Sequence, residues 1–169
     1  MRFNALTLGA LALAATGSSA FQLASAPGYN DAPLPSAPYC PPQDVSPATQ
    51  KAILQRFLNK FFFEGNATGA LLDHVSEGYI QHNPFINSTR QVAVDFFTAI
   101  GDLTANSNVT ILNLGLDNNT GFAHTKWDTP GQEPNIIVDI WRFNGSCIEE
   151  HWDVMQRRPE NATNPLAMF

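Results

Sequence analysis

The chain has 169 residues, with 9 Lys and Arg side chains against 15 Asp and Glu, and a formal net charge of −6. This length is enough for one domain with a hydrophobic core, and the sequence contains no internal repeat and no sign of a second domain. The acidic balance, without basic runs, argues against nucleic acid and membrane surfaces as partners.

The first 20 residues have the composition of a secretory signal peptide. Met1-Arg2 gives a positive start, an apolar stretch follows, and small residues precede the predicted cleavage after Ala20. The apolar stretch is too short to span a bilayer, and no later segment is long and apolar enough. Cleavage removes Arg2 and leaves 8 basic against 15 acidic side chains. We therefore expect a soluble protein that is secreted to the extracellular space.

Six Asn-x-Ser/Thr triplets without Pro in the middle position follow the predicted signal. Such triplets are acceptors of N-linked glycans, which are added in the eukaryotic secretory pathway. They fall in predicted turns or at the ends of predicted elements, where a glycan finds room. The predicted glycosylation sites are Asn66, Asn87, Asn108, Asn118, Asn144 and Asn161.

Cys40 and Cys147 are the two cysteines of the chain. In an oxidising compartment a disulfide bond between them is the default expectation, and two free thiols are the alternative. Neither cysteine has a second Cys or a His at ligand spacing, so we expect no metal site.

Seven of the 12 prolines lie within residues 21–47, which predicts an extended N-terminal arm rather than a packed element. The predicted domain spans residues 48–169. Its first helix begins at Ser46 and Pro47, which suit the N-cap and first helical positions, and it ends at Gly65. Apolar residues at three- and four-residue steps predict one buried face. These residues are Ile53, Leu54, Phe57, Leu58, Phe61 and Phe62.

Two more helices and a short strand follow the first helix. A helix is predicted over residues 67–75, a brief strand ends at Asn83-Pro84, and a third helix lies within residues 88–103. The third helix should turn Val92, Phe96, Phe97 and Ile100 inward. Four strands with intervening turn sequences complete the chain, over residues 108–116, 121–129, 135–143 and 147–156. Helices first and an antiparallel meander afterwards indicate an α+β domain.

The last two predicted strands carry ionisable groups among large apolar side chains. Alternation along a strand places Asp139 on one face with Trp141 and Phe143, and His151 on one face with Asp153 and Met155. We expect this face to meet the helices and to enclose a hollow. The opposite face is also largely apolar, and we expect it to meet a second copy of the chain.

Apolar sheets seldom bury ionisable groups unless those groups are paired or used in chemistry. Burial would raise the pKa of Asp139, and a protonated Asp139 can donate a hydrogen bond to a developing oxyanion. His151 and Asp153 on the adjacent strand could move protons. The alternative is a structural Asp139 that is paired with Arg142 or His151.

Four segments carry a resemblance to a known family. They are "YIQHNP" (79–84), "AHTKW" (123–127), "VDIWRFNGSCIEEHWDVMQ" (138–156) and "NPLAMF" (164–169). Residues 48–169 resemble the SnoaL-like polyketide cyclases, in particular the branch of small proteins predicted to catalyse aldol condensation. This family belongs to the nuclear-transport-factor-2-like superfamily, whose ketosteroid isomerases have a similar hairpin.

The resemblance implies a cone-shaped α+β domain of the nuclear-transport-factor-2-like type. In this fold three N-terminal helices pack in a strongly curved, mainly antiparallel sheet that encloses a pocket. It also implies chemistry by side chains alone, without a metal or an organic cofactor.

The resemblance also suggests roles for individual residues. Asp139 falls where the isomerases place the acid of their oxyanion hole, and Asn83 falls near their general-base aspartate. An Asn cannot take a proton, and His82 could replace that base only if the strand turns it inward. Asp153, with His151 as its partner, matches the late-strand acid/base of the cyclases. The predicted ligand-binding residues are Tyr79, Asn83, His124, Trp127, Trp141 and Met155.

Two functions from different classes are compatible with these residues. The first is a secreted, cofactor-independent acid/base enzyme that acts on a small hydrophobic carbonyl compound, by aldol ring closure or isomerisation. The second is a secreted protein with the same pocket that binds a small hydrophobic ligand without turnover. In both cases we expect a homodimer that forms through the outer face of the sheet, and no nucleic-acid or membrane partner.

Overall fold

A computed structural model of the protein describes residues 34–169. The predicted signal peptide, residues 1–20, and the first part of the proline-rich arm lie outside the described residues. The described helices are α1 (Pro47–Leu58), α2 (Ala67–His74) and α3 (Arg90–Ile100), and a π-helical turn (Asn59–Phe63) extends α1. The strands are β1 (Val75–Gln81), β2 (Asn108–Asp117), β3 (Thr120–Asp128), β4 (Asn135–Asn144) and β5 (Cys147–Arg157). Within this part of the chain, no helix has both the length and the apolar character needed to cross a membrane.

The five strands form one curled, open sheet in the order β1-β5-β4-β3-β2. Strands β2 to β5 form an antiparallel meander, whereas β1 pairs with β5 in parallel. The β2–β3 and β4–β5 turns have two residues each. Asn118 and Asn119, which form the first of them, both take positive φ values. The sheet curls around the helices, and the predicted cone-shaped α+β fold is confirmed.

Helix α1 begins as its sequence predicts, because the Ser46 hydroxyl accepts a hydrogen bond from the Thr49 backbone N–H at 3.1 Å. Its apolar face is buried against the concave face of the sheet, where Phe57 meets Trp141 edge-on at 5.7 Å between ring centroids. All six residues of the predicted apolar face are buried, namely Ile53, Leu54, Phe57, Leu58, Phe61 and Phe62. This packing forms the main hydrophobic core.

A β-bulge in β5 decides which side chains face the core. Phe143 pairs with Ile148 and Trp141 pairs with His151, although three positions separate Ile148 from His151. Phe143 and Trp141 lie on one face of β4 because they are two residues apart. Ile148 and His151 therefore share that face, which requires an extra residue at Glu149 in the bulge. Without the bulge, a strand that buries Ile148 would turn His151 to the outer face.

The C-terminal part of the arm is packed, which corrects the expectation of an unpacked segment. Tyr39 is only 5% exposed, and its ring lies 4.5 Å from that of His74. Cys40 and Cys147 form the predicted disulfide bond, with 5.0 Å between their Cα atoms. The arm also lies against the turn between β4 and β5, where a Cβ atom at Gly145 would come within 2.2 Å of the Gln43 carbonyl oxygen.

Two side chains lie elsewhere than predicted. Val92 is exposed on α3, because the buried face of this helix is centred on Ala93 and Val94. Phe96, Phe97 and Ile100 line the cavity as predicted, although Ile100 is 45% exposed. His74, whose place at the polar end of a short helix predicts a solvated imidazole, is fully buried. The arm covers it, and its Nδ1–H donates to the Ala70 carbonyl at 2.8 Å.

The burial of His74 predicts a pH-dependent stability. Desolvation lowers the pKa of this imidazole from 6.5 to about 4. The unfolded chain therefore binds more protons than the folded chain between these values, and stability is lost as the pH falls through this window. We expect the free energy of unfolding to decrease by about 3 kcal/mol over the window.

Denaturant unfolding at several pH values measures this effect. His74→Phe keeps an aromatic ring beside Tyr39 and should flatten the dependence between these pH values. His82→Gln, which changes an exposed histidine, is the control and should keep the wild-type slope. A wild-type slope in His74→Phe would contradict the assignment.

Candidate acid/base site in the cavity

A cavity of about 550 Å³ lies between the helices and the concave face of the sheet. A volume of this size suits a small organic ligand. Its walls are mostly aromatic and aliphatic side chains, with Phe61 and Phe97 on the helical side and Trp127 and Trp141 on the sheet. Polar groups gather on one wall, which β1, β4 and β5 form together. These groups are Tyr79, Gln81, Asn83, Asp139, His151 and Asp153.

The strand pairing brings the ionisable groups of this wall together. Asp139 on β4 is the cross-strand partner of Asp153 on β5, and Trp141 is the partner of His151. One oxygen or nitrogen atom from each of Asp139, His151 and Asp153 lies within 4.8 Å of the other two. The predicted convergence of these three side chains in a sheltered cavity is therefore present in the structure.

Asp139 and His151 share a hydrogen bond deep in the wall. Asp139 Oδ1 lies 3.0 Å from His151 Nε2, and both side chains are buried. Burial raises the pKa of the Asp139 carboxyl, and the hydrogen bond with His151 offsets part of that rise. Asp139 is thus paired with His151, one of the two partners considered above, while Arg142 pairs with Glu150 on the outer face.

Gln81 fixes the tautomer of His151. The Gln81 Oε1 atom accepts the Asn83 backbone N–H at 2.9 Å, so the oxygen of this amide faces the wall. The same oxygen lies 2.9 Å from His151 Nδ1, which must therefore carry a proton. The contact between Nε2 and Asp139 then holds one further proton, and the pair is neutral overall whichever atom carries it. One proton can therefore shift between Asp139 and His151 while the pair stays neutral, so the shift creates no lone buried charge.

Asn83 holds the second carboxylate in the same way. Its Oδ1 accepts the Phe85 backbone N–H at 2.9 Å, so its Nδ2 is the atom that faces Asp153. Nδ2 donates to Asp153 Oδ2 at 2.6 Å. Asp153 lines the cavity, and its Oδ1 has no hydrogen-bond partner among residues 34–169. Asp153 is half-buried and is the most accessible carboxylate of the polar wall.

Tyr79 adds a neutral donor to the wall. Burial, together with the nearby charges of Asp139 and Asp153, raises the pKa of its hydroxyl far above the ordinary value. The Tyr79 oxygen accepts a hydrogen bond from Gln81 Nε2 at 3.3 Å. Its own O–H therefore remains available for a ligand oxygen.

The other predicted site residues divide between the two faces of the sheet. Tyr79, Asn83, Trp127, Trp141 and Met155 line the cavity together with the three ionisable residues. His82 does not, which corrects its place among the catalytic candidates. Its ring stacks on Trp152 at 4.8 Å on the outer face and its Nε2–H donates to Glu150. Alternation along the chain turns it away from Asn83.

His124 also lies outside the cavity, which corrects its place among the ligand-binding residues. Its Nε2–H donates to the Met168 carbonyl at 3.1 Å, and its Nδ1 accepts from Asn113 on the outer face. His124 and Trp127 are three residues apart on one strand, so they point to opposite faces.

Gln81 and Arg157 line the cavity and were missed in the sequence. The signal for Gln81 was its position between Tyr79 and Asn83, because residues at steps of two share one face of a strand. Arg157 follows Asp153 and Met155 at the same step along β5. Extending the strand alternation by one step of two residues, from Tyr79 and from Met155, would have identified both.

The cluster of Asp139, His151 and Asp153 also has the ligand types of a metal site, two carboxylates and one imidazole. In this arrangement Nε2 of His151 is engaged by Asp139, and one oxygen of Asp153 is engaged by Asn83. Coordination of an ion by all three residues would require the contact between Asp139 and His151 to open. The observed geometry therefore fits proton transfer better than metal binding.

Comparison with known proteins places the fold. No family model and no curated protein matches the sequence. Among solved structures, the chain is similar to AclR, a predicted hydroxylase from Streptomyces galilaeus, with 17% identity, a TM-score of 0.53, and coverage of 68% of this chain and 93% of AclR. It is also similar to a predicted polyketide cyclase from Acidithiobacillus ferrooxidans, with 18% identity, a TM-score of 0.51, and coverage of 67% and 92%.

A third similar structure is an NTF-2 like protein of unknown function from Burkholderia xenovorans LB400. It is 13% identical, with a TM-score of 0.52, and the alignment covers 68% of this chain and 91% of that one. At such identities the likeness concerns the fold. The chain therefore has the nuclear-transport-factor-2-like fold, which it shares with SnoaL-like polyketide cyclases.

The shared proton predicts different outcomes for two substitutions of Asp139. Asn retains a donor that can face the lone pair of Nε2, so Asp139→Asn should cost no more than about 1 kcal/mol of stability. Asp139→Ala leaves Nε2 buried without a partner and opens a void, and it should cost about 2–3 kcal/mol. Denaturant unfolding at neutral pH measures both losses. Equal losses for the two variants would contradict the neutral hydrogen-bonded pair.

Proposed function

We propose that this protein, which has the nuclear-transport-factor-2-like fold, is a cofactor-independent acid/base enzyme of the cyclase or isomerase type. Its substrate is a small hydrophobic carbonyl compound of the polyketide kind. The observation that carries the proposal is the placement of Asp153, with one free carboxylate oxygen, beside the Asp139–His151 pair in a cavity with mostly apolar walls. An apolar cavity strengthens every charge interaction that develops during a reaction.

In this proposal the free oxygen of Asp153 removes a proton from the carbon next to the substrate carbonyl. Asn83 holds the other carboxylate oxygen at 2.6 Å and so orients the base. Negative charge then develops on the carbonyl oxygen. The Tyr79 O–H is the free donor that can stabilise this charge, and the proton between Asp139 and His151 can join it when it turns from their mutual contact towards the substrate. Each such donor contributes a few kcal/mol.

The enolate then attacks a second carbonyl of the same molecule, or it is protonated at another carbon. The first outcome closes a ring by aldol addition, and the second is an isomerisation. In both cases the proton that Asp153 has taken returns to the product, so the residues of the wall end as they began. His151 keeps its orientation throughout, because Gln81 holds its Nδ1–H at 2.9 Å.

The experiment uses purified protein and a panel of aromatic and polyketide-like ketones, with binding measured by calorimetry and turnover by mass spectrometry. Asp153→Asn should retain ligand affinity and lose at least about 100-fold in kcat, because it removes the proton acceptor. Asp95→Asn, the same change at an exposed position of α3 outside the cavity, should behave as wild type. Neither change creates an Asn-x-Ser/Thr triplet.

The same measurements test the alternative function. Binding of ketones by the wild type without turnover would identify a non-catalytic binding protein of the same fold. Equal turnover by the wild type and Asp153→Asn would exclude Asp153 as the base. No binding of any ketone would contradict both functions.

We further propose that the protein is an exported glycoprotein that forms a homodimer. The disulfide bond suits an oxidising compartment, and all six acceptor asparagines are exposed. The outer face of the sheet carries exposed apolar side chains, among them Ile80, Phe122 and Val154, the last 69% exposed.

Native mass measurement of the exported protein tests this proposal. The expected result is a chain that starts at Phe21 and carries glycan mass that an endoglycosidase removes. After this removal, the native protein should have twice the mass of one deglycosylated chain. An unmodified chain that retains residues 1–20 would contradict export. A single-chain mass would contradict the dimer.

A further inference from the structure

The cavity has a second polar end, and we propose that this end binds the carboxylate of an elongated, apolar keto acid. Arg157 is the group that receives the carboxylate. The inference rests on the proposed function, because it names the class of substrate whose carbonyl reaches the wall around Asp153.

The pairing of β4 with β5 places Arg157 in line with the acid/base site. Three successive cross-strand pairs line the cavity, namely Asp139 with Asp153, Ile137 with Met155, and Asn135 with Arg157. Asp153 and Arg157 are four residues apart, which separates their Cα atoms by about 13 Å along the strand. The pair between them is apolar. Along β4 and β5, the two carboxylates of the cavity lining are therefore followed by aliphatic side chains and then by a cationic side chain.

The guanidinium of Arg157 has N–H donors that make no hydrogen bond within the described residues. It is the one Lys or Arg among the described residues that line the cavity. Its Nη2 donates to Gln132 Oε1 at 3.0 Å, and within residues 34–169 it makes no ion pair. Its neighbour Arg158 is the residue that pairs with Glu133, at 3.7 Å. A guanidinium carries five N–H donors in a planar fork that matches a carboxylate, so most of them remain free.

Other polar groups accompany Arg157 at this end of the cavity. Ser107 and Thr129 line the cavity with their hydroxyl oxygens 2.7 Å apart, and Asn135 lies across the strand pair from Arg157. Arg157 also borders a second pocket, which Glu133 and Glu160 line as well. These two carboxylates repel an anion from that second pocket, which favours an anion that reaches Arg157 through the cavity.

The ligand class follows from the order of these groups. A carbonyl belongs at the wall that holds Asp153 and Tyr79, an apolar chain lies over Ile137 and Met155, and an anion lies at Arg157. A neutral ketone of the same length satisfies the first two contacts only. A carboxylate with two charge-assisted hydrogen bonds to a guanidinium gains additional affinity.

The test compares a matched pair of ligands. The acid is a straight-chain oxoundecanoic acid whose ketone is next to the terminal methyl group, and the neutral partner is its methyl ester. We expect the wild type to bind the acid at least about tenfold more tightly than the ester at low salt. The preference should shrink as ionic strength rises, because Arg157 is solvent-exposed and salt screens exposed charges.

Two arginine variants separate this contact from the general charge of the protein. Arg157→Gln should bind the acid and the ester equally while its affinity for the ester stays unchanged. Arg142→Gln removes the same charge from the opposite face of the sheet, where Arg142 pairs with Glu150, and it should keep the preference. Arg157→Lys should retain part of the preference, because it keeps the charge and loses the planar fork.

Equal binding of acid and ester by the wild type would overturn this inference, as would a preference that survives in Arg157→Gln. If both ligands bind equally and the ketone panel is still turned over, the acid/base function stands and only the carboxylate contact is wrong. If no ketone of any kind binds, both are wrong.

Discussion

The alignment of β5 against β4 is the constraint on which the candidate site depends. A β-strand has a period of two, so one residue more or less exchanges the faces of every side chain that follows. The bulge at Glu149 lets β5 bury Ile148 beside Phe143 and still turn His151 inward. One irregular position thus allows β5 to bury Ile148 in the apolar core and to turn the polar residues that follow into the cavity. The same alternation continues along β5 to Arg157.

The polar wall is stable in a mostly apolar cavity because most of its polar atoms are hydrogen-bonded within the wall. Buried polar groups are costly only when they lack partners, and here each amide is oriented by a backbone N–H before it contacts an ionisable side chain. Gln81 and Asn83 therefore act as fixed supports, one for His151 and one for Asp153. Such support is what a site needs to keep its geometry while charge moves.

Much of the fold could be predicted from the sequence, since the helical face of α1 and the alternation of the late strands are strong local signals. The convergence of Asp139, His151 and Asp153 was predictable for the same reason. The burial of His74 could not be predicted, because the arm that covers it is distant in sequence. The outward places of His82 and His124 depend on strand phase, and alternation alone places them correctly once one inward neighbour is known.

The packing of the N-terminal arm restricts which residue can occupy one position in the turn between β4 and β5. This restriction can be looked for in other proteins of the same fold. Gly145 has a φ of +54, which an asparagine would also tolerate, but the Gln43 carbonyl leaves no space for any side chain there. In a relative without the arm this steric demand disappears. Glycine at that turn and the two cysteines should therefore be gained and lost together in evolution, so that one position in the hairpin reports whether a chain carries the N-terminal extension.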